Sequence, residues 1–356
     1  MKRLTILASL AFCSSMAFAQ TQVSDYRPGL TEEGITYFLP STCVRVAITA
    51  KKVHHKPGEF CQFAERFLRL KNVAQTEYDE WTIQQVNLSS YGVADKQKAY
   101  TVKLKAKTSA PFVGLSEDGR LLSINTEAPQ EKELVKPSVV KEKASSVDPS
   151  SFKTQEILHA GSSSKMAELT ANEIYDIREN RGLLSKGQAD FMPKDGEQLR
   201  LMLANLDEQE EGLLKLFTGT TTTETHTFVL DLQPKGETEK MLLFRFSKYL
   251  GIVANDDPAG VPYYVEIKDL HTLPETTVDP QMKPKKKVED VRYAIPGRVN
   301  VRVFNDTDEF VSQSFPMAQF GKVEHLGGEL FNKKNTTRIT FYPETGGIQK
   351  LEGDVQ

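Results

Sequence analysis

From Val44 to Lys51 apolar and polar residues alternate. Val44, Val46, Ile48 and Ala50 share one face and Arg45, Thr49 and Lys51 the other, which is the period of a strand with one buried side. After Pro57-Gly58 the period changes. Phe60, Phe63, Ala64, Phe67 and Leu68 recur at helical spacing, so GEFCQFAERFLRL predicts an amphipathic helix laid on that strand's sheet, with His54 and His55 in the turn between. Trp81 and Ile83 alternate, as do Val86 and Leu88, but the two pairs are out of phase, which predicts one strand with a bulge. AYTVKLKAK sets Tyr100, Val102, Leu104 and Ala106 against a row of lysines. Phe112, Val113 and Leu115 then lead through SEDG, with a tight hairpin turn at Asp118-Gly119, into RLLSI.

Between Thr126 and Thr154 the pattern lapses into Glu, Lys, Pro and Ser with scattered aliphatics, too few to bury a core, and predicts a linker or loosely docked crossing. Helical periodicity returns afterwards. Thr170 and Glu173 fit a capping box, with Leu169 and Ile174 as its hydrophobic staple, for a helix running to about Arg181 and stopping near Gly182. Asp195 caps a second helix whose apolar stripe includes Leu199, Leu206, Leu213 and Phe217 and whose acidic run, Asp207 to Glu211, reads as a solvated face. The remainder alternates as strands at THTFVLDL, KMLLFRFS, PYYVEIKD, RVNVRVFN, FVSQSFPM and TRITFYP, separated by Gly, Pro and Asp turns. The predicted class is α+β: two β-rich domains, each a sandwich or open barrel, with a central antiparallel helix pair. The expected division is a signal peptide over 1–19, an α+β domain over 20–125, a linker over 126–155, the helical pair over 156–219 and a β-rich domain over 220–356.

The signal peptide rests on Lys2 and Arg3, a short apolar run and the small-x-small signal Ala17-Phe18-Ala19, with cleavage expected after Ala19. Leu10-Ala11-Phe12-Cys13 hints at a lipid-attachment box, which the bulky Phe12 opposes. The run is far short of the ~20 residues that span a bilayer, and no later stretch is both that long and uncharged, so no transmembrane segment is expected. Without Lys2 and Arg3 there are 43 basic residues against 48 acidic, a formal charge of −5 that gives no reason to expect a nucleic-acid partner. The lysines of KPKKK at 283–287 read as solvated loop charges.

Reactive side chains concentrate in CVRVAITAKKVHHKPGEFC. Cys43 and Cys61 are the cysteines left after export, and an even pair in an oxidising compartment is a candidate disulfide. Strand parity opposes it, since Cys43 lies on the face opposite Val44, and the alternative is two small apolar thiols. Adjacent histidines on a strand point to opposite faces, so His54 and His55 do not suit one metal ion, and no metal ligand is assigned. Asp256-Asp257 in NDDPAG reads as a turn, and His159, His226, His271 and His325 stand alone. No nucleophile elbow, zinc-protease motif, phosphate loop or dinucleotide fingerprint occurs, so no catalytic residue or cofactor is assigned. Tyr263-Tyr264 is the tyrosine pair from which strand parity exposes one ring. That is the feature expected of a ligand-surface aromatic, set against one core and one edge tyrosine.

YFLPST with PGEFCQFAERFL, the stretch from RENRGLLSKG to LLKLFTG, and FPMAQFGKVEHL with ITFYPETGGIQKL resemble an uncharacterised family of exported Bacteroidetes proteins. The likeness covers most of the chain beyond the signal. The family is known chiefly as a domain of unknown function, so the resemblance carries no site residues. It implies an envelope or secreted location in a Gram-negative anaerobe. Cys61 stands where the resemblance leads one to expect a small or aromatic residue, which counts against a family-wide disulfide. ITFYPETGGIQKL also resembles FVGLSEDGRLLSI within the chain, each a strand, a glycine turn and a strand. The expected role is non-catalytic binding or structure in the cell envelope, with an envelope protein or a glycan as partner. The alternatives are a glycan-binding module and a hydrolase acting on glycan or peptide.

Overall fold

A computed structural model describes residues 22–25, 34–103, 112–142, 148–274, 291–327 and 335–355. The expected signal peptide, Leu104 to Lys107 and the KPKKK run lie outside the described residues. The chain is mostly β, with fourteen described strands in three sheets and a helix pair.

Two long hairpins carry the architecture. In the first, β2 (Ile35–Lys56) pairs with β3 (Tyr78–Lys103); in the second, β11 (Val291–Phe304) pairs with β12 (Glu309–Leu326). Besides a smaller register shift, each has one large interruption of the same kind. Phe38 pairs with Ala99 and Pro40 with Ala94, so Leu39 faces the extra residues Asp95 to Lys98. Ile295 pairs with Lys322 and Gly297 with Met317, so Pro296 faces Ala318 to Gly321. A proline lacks the N–H that a ladder needs, and the extra residues bend the partner strand away, so each hairpin is divided into two arms.

The larger arms form a sandwich. β7 (Thr220–Leu232) continues the first hairpin's sheet beyond β2, and β8 (Thr238–Ser247), β9 (Gly251–Val253) and β10 (Val261–Asp269) continue the second's beyond β11. Val44, Val46 and Ile48 of β2 meet Val299, Val301 and Val303 of β11, with Phe244, Tyr263 and Met317 filling between, as the alternation requires. The smaller arms close a second core. There Tyr37, Tyr100, Val291 and Leu326 pack on Leu121, Ile124, Ile339 and Phe341 of a four-stranded sheet. Its hairpins are β4 (Val113–Leu115) with β5 (Leu121–Ile124), and β13 (Asn335–Phe341) with β14 (Ile348–Val355). These are the two stretches that resemble each other, and they lie side by side. The first contributes the strand after its turn and the second the strand before it, so the arrangement does not repeat.

Local readings fare unevenly. The Gly119 turn at φ +86° and the phase change in β3, where the register jumps between Gln85 and Ile83, are present as expected. GEFCQFAERFLRL forms only a 3-10 turn and α1 (Ala64–Leu68), ended by Arg69 at φ 57°. His54 and His55 are not in a turn but inside β2, because the threonine-rich start of β7 pairs alongside and extends that strand to Lys56. After the short α2 (Gln155–Leu158), the first long helix, α3 (Ser163–Lys186), starts at Ser162, whose hydroxyl accepts the Lys165 N–H. It runs through Gly182 to Gly187, so the Thr170 capping box is a correction: Thr170 is buried in mid-helix and donates back to the Met166 carbonyl at 2.8 Å. Asp195 does cap α4 (Gly196–Thr218). The acidic run is not wholly solvated either. Glu210 is buried between Arg178 and Arg181 of α3, at 2.6 and 2.7 Å, and Asp207 holds Arg181. Ile174, Ile177, Leu213 and Phe217 of the pair pack with Phe60 and Leu68 as a third core at the end of the sandwich.

Candidate functional site

Where the two hairpins bend, Thr42 links three sheets. Two residues before Val44, it lies just outside the span of β2 that β7 covers, and its main chain needs another partner. Gln319, freed from the ladder by the β12 interruption, supplies one. Its Oε1 accepts the Thr42 N–H at 3.0 Å and its Nε2 donates to the Thr42 carbonyl at 2.8 Å, so a carboxamide completes the strand edge. The Thr42 hydroxyl accepts the Ala318 N–H at 3.0 Å and donates to the Glu344 carbonyl at 2.8 Å. Thr42 is wholly buried, and each of its polar groups is partnered.

The β13–β14 turn, Tyr342 to Gly347, is wedged into the same bend. The buried Arg120 donates to the Pro343 carbonyl at 2.7 Å and is neutralised by Asp118 at 2.7 Å and Glu131 at 2.9 Å. Burial by itself would raise the Asp118 carboxyl, but hydrogen bonds from Ser116 and Arg120 outweigh it and hold the group below its ordinary value. Gly92 of β3 makes room for the turn: a Cβ there would lie 2.2 Å from the Pro343 oxygen.

These supports wall a cleft of about 710 Å³ between the arms. β3 contributes Leu88, Ser89 and Ser90; β11 contributes Pro296 and Arg298; β12 contributes Gln313, Phe315 and Pro316; the turn contributes Tyr342, Glu344 and Thr345; and the crossing segment contributes Lys132. Lys132 lies 3.5 Å from Glu344, which offsets both charges. Arg298 pairs with no carboxylate among the described residues, so the cleft carries a net positive group beside the half-exposed Tyr342 ring. The lining holds hydroxyls, an amide and one carboxylate, and no histidine, cysteine or aspartate. That set can orient and hydrogen-bond a ligand, and among the described residues no hydroxyl of the lining is hydrogen-bonded to Lys132 or to the Glu344 carboxylate.

The residues singled out from sequence lie elsewhere. Cys43 and Cys61 are both free, and the candidate disulfide is not formed. β2 runs straight for thirteen residues beyond Cys43 to Lys56, or about 43 Å at ~3.3 Å per residue, and Cys61 follows that span. Cys43 is buried beside Tyr91, and burial raises its thiol above the ordinary value. Tyr263 is in the sandwich core, stacked on Phe244 at 4.6 Å, while Tyr264 is on the opposite face beside Phe304 with the Lys240 ammonium 4.1 Å over its ring. Asp257 is in a turn, its carboxylate accepting the Ala259 N–H.

A second polar group forms where the sheet of β2 outruns the sandwich. His54 Nδ1 is 2.7 Å from Asp79, whose other oxygen is 3.0 Å from Lys52, and His226 is 3.0 Å from Glu224, which also meets Lys141. The bond from His54 and that from Lys52 hold Asp79 below its usual range; His226 and Lys141 do the same for Glu224. Among the described residues no group of three His, Cys, Asp or Glu has the geometry to hold a metal ion, and no helix is long and apolar enough to cross a membrane.

A family model matches residues 33–349, from just ahead of β2 into β14 and so across all three cores. The chain belongs to Domain of unknown function (DUF4831). No curated protein and no solved structure matches it. What sequence reasoning missed in this DUF4831 chain is the bend. Its signal is Tyr37-x-x-Pro40 in one long strand and Tyr293-x-x-Pro296 in the other, with the turn sequence PETGG that fits between them.

Proposed function

We propose that this DUF4831 chain is an exported, non-catalytic binding protein of the bacterial cell envelope, and that the cleft at the bend takes an extended anionic ligand, an acidic glycan strand being the best fit. The N-terminal charge, apolar run and Ala-x-Ala signal support export. The observation that carries the binding role is the lining itself. An uncompensated guanidinium stands beside an aromatic ring and a set of neutral hydrogen-bonding groups, on walls fixed by Thr42, Gln319 and Arg120.

Affinity electrophoresis against an acidic polysaccharide and a neutral one, polygalacturonate and galactan, tests this with the whole protein. Retardation by the acidic polymer is expected, weakened at least tenfold by Arg298→Ala and also reduced by Tyr342→Ala. Equal retardation of wild type and Arg298→Ala, or none with either polymer, defeats the proposal. The His54–Asp79–Lys52 group favours hydrolysis as a second reading, since a base oriented by a carboxylate is part of many hydrolytic sites. Release of reducing ends or amines that His54→Ala abolishes would establish it.

A further inference from the structure

β7 is the outermost long strand of its sheet. A four-residue strand, β6 (Ser138–Lys141), lies on its free edge. The two run antiparallel, with Ser138 opposite Thr227, Val139 opposite His226, Val140 opposite Thr225 and Lys141 opposite Glu224. Glu142 donates its N–H to the Thr223 carbonyl at 2.9 Å, so by the alternation of an antiparallel ladder Val140 and Ser138 also turn their amides toward β7. All four side chains of β6 are exposed, Val139 at 55% and Val140 at 61%. Every other strand whose side chains are described has at least one that is buried or half-buried. β6 is held by main-chain bonds and by Lys141, itself 76% exposed, at 3.0 Å from Glu224. The chain on its N-terminal side is tied down by the Val135 carbonyl, which accepts from Arg45 at 3.1 Å.

An exposed strand edge recognises another strand through its backbone, and alternate side chains supply specificity. β6 shows which chemistry the β7 edge accepts: an extended, antiparallel segment with a β-branched residue opposite His226 and a basic residue opposite Glu224. Yet β6 buries almost nothing of its own there. We infer that the β7 edge is a docking site for an extended segment of a partner polypeptide, and that β6 is an internal occupant which the partner displaces. The site is separate from the cleft and does not depend on its ligand.

Hydrogen exchange of the wild-type protein gives the first test. The amides of Val140 and Glu142 should exchange at least 100-fold faster than those of Val46 to Ala50 in β2; equal protection would overturn the inference. The second test uses Val140→Pro combined with Lys141→Glu, which removes a ladder amide and reverses the charge facing Glu224. A fluorescein-labelled peptide of residues 136–142, KPSVVKE, is the probe, read by anisotropy. The variant, once its circular dichroism is shown to match wild type, should bind the peptide at least tenfold more tightly than wild type does. The same peptide with glutamate in place of the lysine that matches Lys141 should lose that gain. A folded variant that binds no better than wild type refutes the displaceable occupant. A wild-type dimer that Val140→Pro converts to monomer would reassign the edge to strand exchange between copies.

Discussion

Replacing Thr42 by valine removes one oxygen and leaves the shape of the side chain almost unchanged. The hydroxyl donates to the Glu344 carbonyl at 2.8 Å and accepts from the Ala318 N–H at 3.0 Å, and Thr42 itself has no exposed surface. Thr42→Val therefore leaves a donor and an acceptor unpaired where water has little access, at about 1–3 kcal/mol each. Ala318 is buried and loses its bond outright, whereas the Glu344 carbonyl borders the cleft and can be partly rehydrated. The expected loss is about 2–4 kcal/mol. Thr42→Ser is the control, because it keeps both bonds and gives up one methyl group, for about 1 kcal/mol. Urea unfolding should be followed by circular dichroism and by Trp81, the single tryptophan, with coincidence of the two probes as the test of an all-or-none transition. With a slope of about 3 kcal/mol/M, the valine variant should melt roughly 1 M earlier and the serine variant a few tenths earlier. A valine variant as stable as wild type, or a serine variant no more stable than the valine one, would show that the bend is not held by this hydroxyl.

Gly92→Ala brings a methyl group to 2.2 Å from the Pro343 oxygen, so the turn must shift; a loss of about 1–3 kcal/mol in the same unfolding assay is expected, and an unchanged midpoint would place the turn elsewhere. Asp231, held low first by the hydrogen bond from Arg45, joins Asp79, Asp118 and Glu224 among carboxylates whose native values are depressed. Such groups add stability that is fully present above their ordinary values of 3.8 to 4.5 and is lost as pH falls through the native ones, so melting temperature should drop on acidification below about pH 4.5. Thiol labelling resolved by peptide mass should modify Cys61 in the folded protein and Cys43 only after denaturation; recovery of the two as a cystine-linked peptide would contradict the straight course of β2.

Features written in a few neighbouring residues were legible. The alternation of β2, the interruption of β3 at its change of phase, the Gly119 turn and the Asp195 cap all depend on contacts within one element or one hairpin. Two local signals misled because a neighbouring context overrode them. Thr170 and Glu173 fit a helix start, but Ser162 and the helix-favouring SKMAE run begin the helix about two turns earlier. His54 and His55 precede a Pro-Gly turn, but pairing with Thr221 and Thr222 keeps them extended. The cleft was hidden for a different reason. Thr42 and Gln319 are 277 positions apart, and nothing in the period of either strand announces that a glutamine side chain will stand in for a missing strand. The central contribution of Arg298 likewise follows from which lining charges are already paired, a fact of three-dimensional proximity.

The long hairpins also govern the order in which this polypeptide can become a folded body. β2 pairs with β7 some 180 positions downstream, β5 meets β13 more than 200 positions downstream, and the sandwich needs both hairpins to shut. Pairings of such span close slowly, because the loop entropy is lost before the contacts form. As the polypeptide emerges from the ribosome, the first hairpin must therefore wait with its apolar face uncovered. Neither β core is complete until the last quarter has been made. A truncation anywhere short of β13 would leave the smaller core without a wall, and one short of β11 would leave both without one.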